Sequence, residues 1–342
     1  ITPGDAPKNQ TQYGAAKVRP AAVDGSTMFV QRTRKAIRDF NYNYEEDAYT
    51  SLGLSSLAPH LINMVKDISA WNGSATDEIS LVFVVNGDGT MAILNTRREA
   101  DVRAWTQWIT GPDAVVADDG TVSGHDKIKA VAAVIEDVYF ATRRTIDGTE
   151  MILLEVADED MRMDSSVLKH YNAFTLGADY TIDFATGDHL LGADARVTVD
   201  GLVMENITPV VGHNFVLLPT SYSVSQGDTE VRIGLNFNTE ITPMALNPQT
   251  ATGTSIVRKQ RVVGVKGKVR NTLGLLMNGR PIADRYYDIN NFDEGLTPFT
   301  GNFETEETSI WDNTEDKTVT FSQVDPLPLE ILGIEVELQV SE

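Results

Sequence analysis

Apolar residues in this chain fall in short runs and in alternations of period two, interrupted by Gly, Asp and Asn. That pattern predicts antiparallel strands joined by tight turns. A strand–turn–strand unit recurs at Thr27–Tyr42, Ile79–Asn95 and Asp137–Val156, with starts 52 and 58 residues apart. In the second unit, Ile79–Val85 and Thr90–Leu94 flank Asn86-Gly-Asp-Gly89; in the third, Val138–Ile146 and Thr149–Val156 flank Asp147-Gly148. Asp-Gly between β-rich runs is a strong hairpin signal, because both positions accept positive φ. Further strands are expected at Val102–Ile109 and Ile128–Ile135, giving about four strands per unit, as a propeller blade requires.

Residues 1–20, rich in Pro, Gly, Gln and Lys, read as an extended arm or loop. One short helix is expected near Leu57–Lys66, with Ser55 or Ser56 as cap and Pro59 in its first turn. The character changes near residue 165. Between Asp179 and Leu218, short runs such as Ala195–Val199 alternate with Gly177, Gly187, Gly192, Gly201 and Gly212, which reads as a small inserted barrel or sandwich. Longer strands follow at Arg261–Val269, Lys317–Gln323 and Leu329–Val340. The prolines of Pro326-Leu-Pro-Leu329 place that segment's entry at a sheet edge or bend.

Charge changes the picture of partners. The chain has 342 residues, 42% of them hydrophobic, with a net charge of −21. That size and composition support a globular protein of two or three domains. The acidic balance disfavours general attraction to DNA phosphates and suits a surface that lets DNA pass without sticking. There is no cysteine, which excludes disulfide scaffolds, Cys-based zinc sites and thiol catalysis. No apolar run approaches a membrane-spanning helix. The chain opens at Ile1 without a signal-peptide pattern, so an N-terminal part is expected to be missing. Charge is also segregated: Val257–Arg285 carries eight basic residues and one acid, while beyond Arg285 fourteen acids face one base, Lys317. This reads either as a solvated sheet face or as complementary head-to-tail surfaces between subunits.

Candidate chemistry is sparse. Asn86-Gly-Asp-Gly89 and Asp118-Asp-Gly120 resemble calcium loops but lack the alternate ligands and closing Glu, so both read as turns. The histidines (His60, His125, His170, His189, His213) are scattered, and no nucleophile elbow, P-loop or dinucleotide fingerprint occurs. Acidic residues are abundant, yet no carboxylate pair is singled out for glycoside hydrolysis. Trp105, Trp108, Tyr42 and Tyr44 suit a carbohydrate groove or, more simply, a blade core. No catalytic, cofactor-binding or metal-binding residue is assigned.

Several stretches in order resemble the tail nozzle (tail tubular protein B) family of short-tailed phages. They begin with Tyr13–Pro20, Met28–Arg32, Ile37–Tyr42, Glu46–Tyr49 and Leu57–Leu61, and continue with Arg97–Glu99, Val102–Trp105, Ala130–Ile135, Val138–Phe140 and Arg143–Ile146. His189–Gly192, Val197–Gly201, Val231–Leu235 and Asp325–Gly333 complete the set. The family's N-terminal platform region has no counterpart here, and the loops differ. The resemblance implies a mainly β fold with propeller-like blades over 1–165, an inserted small β-barrel over 166–245 and a C-terminal β domain over 246–342. It implies a non-enzymatic virion structural protein, assembled in the host cytoplasm as a hexamer. Its expected partners are the adaptor (head-to-tail connector) and tail fibres or spikes, with DNA passing through the lumen. The competing expectation is a glycan-binding or glycan-cleaving β-propeller.

Overall fold

A computed structural model describes residues 11–45, 47–73, 79–111, 114–117, 122–158, 160–171, 181–183, 188–204, 215–217, 229–244, 249–250, 253–254, 259–282, 297–306 and 318–340. The protein is mainly β, built of small antiparallel sheets; no α-helix and no closed barrel occur among the described residues. The chain divides into two compact units, Ile1–Met161 and Arg162–Glu342.

In the first unit, β1 (Ala21–Val23), β2 (Ser26–Val30), β3 (Ile37–Asn43) and β4 (Ala48–Gly53) form a four-stranded meander. A second meander contains β5 (Asp67–Trp71), β6 (Ser80–Val85), β7 (Met91–Arg97) and β8 (Val102–Trp108). β9 (Val115–Val116) and β10 (Val122–Ser123) pair only with each other. The third sheet has three described strands rather than four: β11 (Lys127–Val134), β12 (Asp137–Ile146) and β13 (Thr149–Val156). The three expected hairpins are therefore β2–β3, β6–β7 and β12–β13. Asp147 and Gly148 take φ of 47° and 70° at the tip of the last, as an Asp-Gly turn requires.

Burial explains why these strands read differently in sequence. β12 faces a core on one side, so every second residue from Val138 to Ile146 is buried. β6 and β7 are apolar on both faces. Val82, Val84, Ala92 and Leu94 share one core with Val30 and Ile37 of the first sheet. Phe83, Val85, Met91 and Ile93 share another with Ile128, Val131, Val138 and Phe140 of the third. The second sheet is thus covered on both sides, and each such Val, Leu, Ile or Phe contributes about 1.5–3 kcal/mol by leaving water.

The helix expected near Leu57–Lys66 is a single 3₁₀ turn, Pro59–Leu61, with Pro in its first turn and no side-chain cap. The following amides are claimed by distant partners: Asn63 N–H donates to Asn86 Oδ1, Val65 N–H to Arg34 O and Lys66 N–H to Val85 O. Those bonds dock the segment onto two hairpins and prevent i to i−4 pairing. Where described, the arm is an irregular segment bridged once to the first sheet: Ala15 pairs with Gln31, Ala16 N–H donates to Val30 O, and Ala16 and Val18 pack on the first core.

In the second unit, β14 (Asp164–Tyr171), β19 (Thr229–Leu235), β16 (Ala195–Val199) and β17 (Leu202–Met204) form one open sheet in that order. β15 (Thr181–Asp183) pairs with β18 (Phe215–Leu217) separately. The expected barrel is not seen closed in the described strands; much of Asp179–Leu218 lies outside them. A second sheet runs β20 (Thr239–Ile241), β27 (Phe321–Gln323), β24 (Leu276–Met277), β25 (Arg280–Pro281). β21 (Gln249–Thr250) pairs with β22 (Gly253–Thr254). A third sheet places β23 (Gln260–Thr272) between β26 (Phe299–Glu306) and β28 (Ile331–Val340). Val262, Val265, Val269, Leu275, Met277, Phe303 and Phe321 build its core. β28 is an edge strand that starts just after Pro328, matching the edge entry expected from the prolines.

Candidate functional site

The turn at Asn86–Gly89 is held by its own polar groups. Asn86 is 2% exposed; its amide nitrogen donates to Leu61 O and Thr90 Oγ1 while its oxygen accepts from Asn63 N–H. Asp88 Oδ1 accepts from the Thr90 amide and hydroxyl. The carboxylate therefore does turn work, as expected from its sequence. Asp118-Asp-Gly120 lies outside the described residues. His125 and His189 each sit against a backbone carbonyl, of Asp88 and Ser165 respectively; His60 and His170 are exposed, and His213 is outside the described residues. Among the described residues no group of three His, Asp or Glu is arranged to hold a metal ion.

The aromatic candidates separate. Trp105 packs on the first core, its indole N–H donating to Leu54 O at 3.0 Å. Trp108 packs on the second, tilted against Phe140 at 5.6 Å between centroids. They cannot form one sugar-binding wall, because three residues apart on a strand they point to opposite faces. Tyr42 and Tyr44 leave the core altogether, 43% and 87% exposed, against the blade-core expectation. Tyr42 shares the outer face of the first sheet with Phe40 and Tyr49. Phe40 and Tyr49 stack at 4.9 Å, and Tyr42 meets Tyr49 edge-on at 5.3 Å. The Tyr42 hydroxyl donates to Asp47, and that bond, then partial desolvation and the neighbouring Tyr49, raise its pKa above the usual phenol value. Arg38 lies over the Tyr13 ring. Phe40 and Tyr49 therefore cover one ring face of each other, while Tyr42 and Tyr44 stay open to solvent.

A polar cluster was missed by sequence reasoning. Arg144 on β12 is 1% exposed and grips Glu155 of β13 with Nε and Nη2 at 2.5 and 2.8 Å. Its Nη1 donates to Asp126 Oδ2 and Thr110 Oγ1, both at 2.9 Å. Asp126 Oδ1 also accepts the Thr145 amide. These contacts tie the β12–β13 hairpin to the loops before β11, as a lock within the first unit. A signal existed: Arg144 has the inward parity of Phe140 and Thr142.

The segregated charges meet within one sheet. Basic β23 lies between acidic β26 and β28. Lys266 pairs with Glu304 at 3.1 Å and has Glu335 as its other cross-strand neighbour; Arg270 grips Glu330 with two bonds of 2.6 Å. These hydrogen bonds and charges raise the Lys266 and Arg270 pKa values. Lys268 faces Asn302 and Gly333 instead, beside a shallow open groove of about 550 Å³. Among the described residues, Lys266 and Arg270 thus find their acids within their own sheet, as the solvated-sheet reading expects.

What remains exposed and chemically distinctive is a pair of sheet faces in the first unit. One is the aromatic outer face of β3–β4. The other is the outer face of β12–β13, where Ile152, Leu154 and Val156 are 70%, 76% and 51% exposed. No protein-family model matches this chain, and no curated protein does.

Proposed function

We propose that the chain is a virion structural protein, a subunit of the tail nozzle of a short-tailed phage, working in a hexameric ring that guides DNA. The observation that carries the reading is serial construction: consecutive stretches of chain make antiparallel sheets stacked face to face, with apolar faces left at both ends of the series. Such a series suits blades of a propeller-like body, and its open faces suit joining to further sheets. The ordered motifs given above support the family, and the net charge of −21 supports a bore to which DNA does not adhere. Adaptor and fibre proteins are the partners such a subunit would meet, in the virion. The glycan reading has less support, since Trp105 and Trp108 lie in separate cores and do not share a face with the exposed tyrosines Tyr42 and Tyr44.

The test is particle size and shape of the intact gene product, alone and with its portal–adaptor complex, followed by labelling of the subunit in micrographs of native particles. Sixfold annular assemblies and a label on the tail are expected. A persistent monomer at high concentration with the portal–adaptor complex present, or turnover of a capsule or wall polysaccharide, would overturn the proposal.

A further inference from the structure

Over Met151–Val156, β13 carries apolar residues on both faces, with the inward Glu155, which holds Arg144, as the exception. In this unit that pattern has a known meaning: β6 and β7 share it, and both are covered on two sides. β13 uses only one side. Met151, Leu153 and Glu155 turn inward and are half-buried, while Ile152, Leu154 and Val156 stand in solvent. The opposite edge of the same sheet is protected, since the Val131 and Ala133 amides of β11 donate to Asp67 Oδ2 and Ser69 Oγ of β5. The series therefore ends on an exposed aliphatic face, and it begins on a partly exposed aromatic one, Phe40, Tyr42 and Tyr49.

The two faces are also opposite in charge along their lengths. On the third sheet, Lys127 and Lys129 lie at the end where Arg143 pairs with Ile152, and Glu136 and Asp137 lie at the end beside Val156. Glu150 neutralises Arg143 there at 2.8 Å. Desolvation and then the like charges of Arg143, Lys66 and Lys127 lower the Lys129 pKa, with Glu150 acting in the opposite direction. On the first sheet, Glu45 and Asp47 follow β3 at one end, and Arg32 and Lys35 precede it at the other. One orientation sets both charged ends against their opposites while the aliphatic stripe meets the aromatic one.

We propose that the outer face of β12–β13 docks on the outer face of β3–β4 of a second copy of this chain, a head-to-tail contact that repeats between copies the face-to-face stacking found within one. The inference rests on the self-assembling reading given above and names the surface that would do it. A head-to-tail contact propagates, and closes into a ring when its rotation allows.

The chain has no cysteine, so introduced thiols report only the faces that carry them. Tyr42→Cys and Leu154→Cys are made in separate full chains and treated with a short bis-maleimide. The 1:1 mixture is expected to give covalent dimer, and neither variant alone to give it above background. In parallel, Leu154→Glu is expected to weaken self-association at least about tenfold in sedimentation, with an unchanged circular dichroism spectrum. Dimer from either variant alone, or none from the mixture, would overturn the inference. Rings in micrographs without that cross-link would sink it and leave the nozzle reading standing. Cross-linked assemblies from a chain that does not label the virion tail would sink the nozzle reading and leave the contact standing.

Discussion

Arg144 shows how much one buried side chain settles. Its guanidinium satisfies Glu155 and Asp126, whose side chains are 18% and 11% exposed. Removing it leaves two carboxylates with little water and no cation. Arg144→Met is expected to cost about 3–5 kcal/mol, measured as a lowered urea midpoint, with Arg144→Lys recovering only part because it lacks the planar fork. Asn86→Ala strips partners from Asn63, Leu61 and Thr90 at once and is expected to cost about 2–3 kcal/mol by the same measurement. Legibility at this scale was partial. Strand parity identifies Arg144, not Arg143, as the inward residue, but its acids come from 18 residues before and 11 after, across loops that no local pattern joins. Tyr42 and Tyr44 were legible as candidates and not as exposed, because an alternating strand does not state which face has a core beneath it.

Hairpins were the most legible elements, since turn chemistry and the flanking runs are local. The Asp147-Gly148 tip offers a clean check: a Cβ on Gly148 would meet nothing within 4 Å, so only its φ of 70° resists replacement. Gly148→Ala is expected to cost about 1 kcal/mol, and Gly148→Asn less, in denaturant unfolding. Gly267 on β23 is the opposite case. Its cross-strand partner Phe303 lays its ring where a Cβ would stand, so Gly267→Ala must displace a core aromatic and is expected to cost about 1–3 kcal/mol. The short helix was misread because its residues carry acceptable local signals, while the bonds from Asn63, Val65 and Lys66 that override them reach about 20 to 30 residues away along the chain. The charge pattern of Val257–Arg285 was plain in sequence, but that Lys266 and Arg270 meet Glu304 and Glu330 across the same sheet is a matter of topology.

At the scale of the molecule, each compact unit owns its hydrophobic cores. Calorimetry is expected to resolve two unfolding steps, with Arg144→Met lowering only one and Gly267→Ala only the other; a single transition moved by both would refute that independence. The net charge of −21 leads to a further expectation, that the chain is not retained on DNA at about 0.15 M salt, read by gel shift. The middle sheet of the first unit has a mechanical consequence. Neighbouring side chains along β6 and β7 are committed alternately to two cores, so neither wall can shift without disturbing both. Interiors packed at crystal-like density yield little. A force applied at one outer face would be handed through this sheet to the other, which is the behaviour of a loaded spacer.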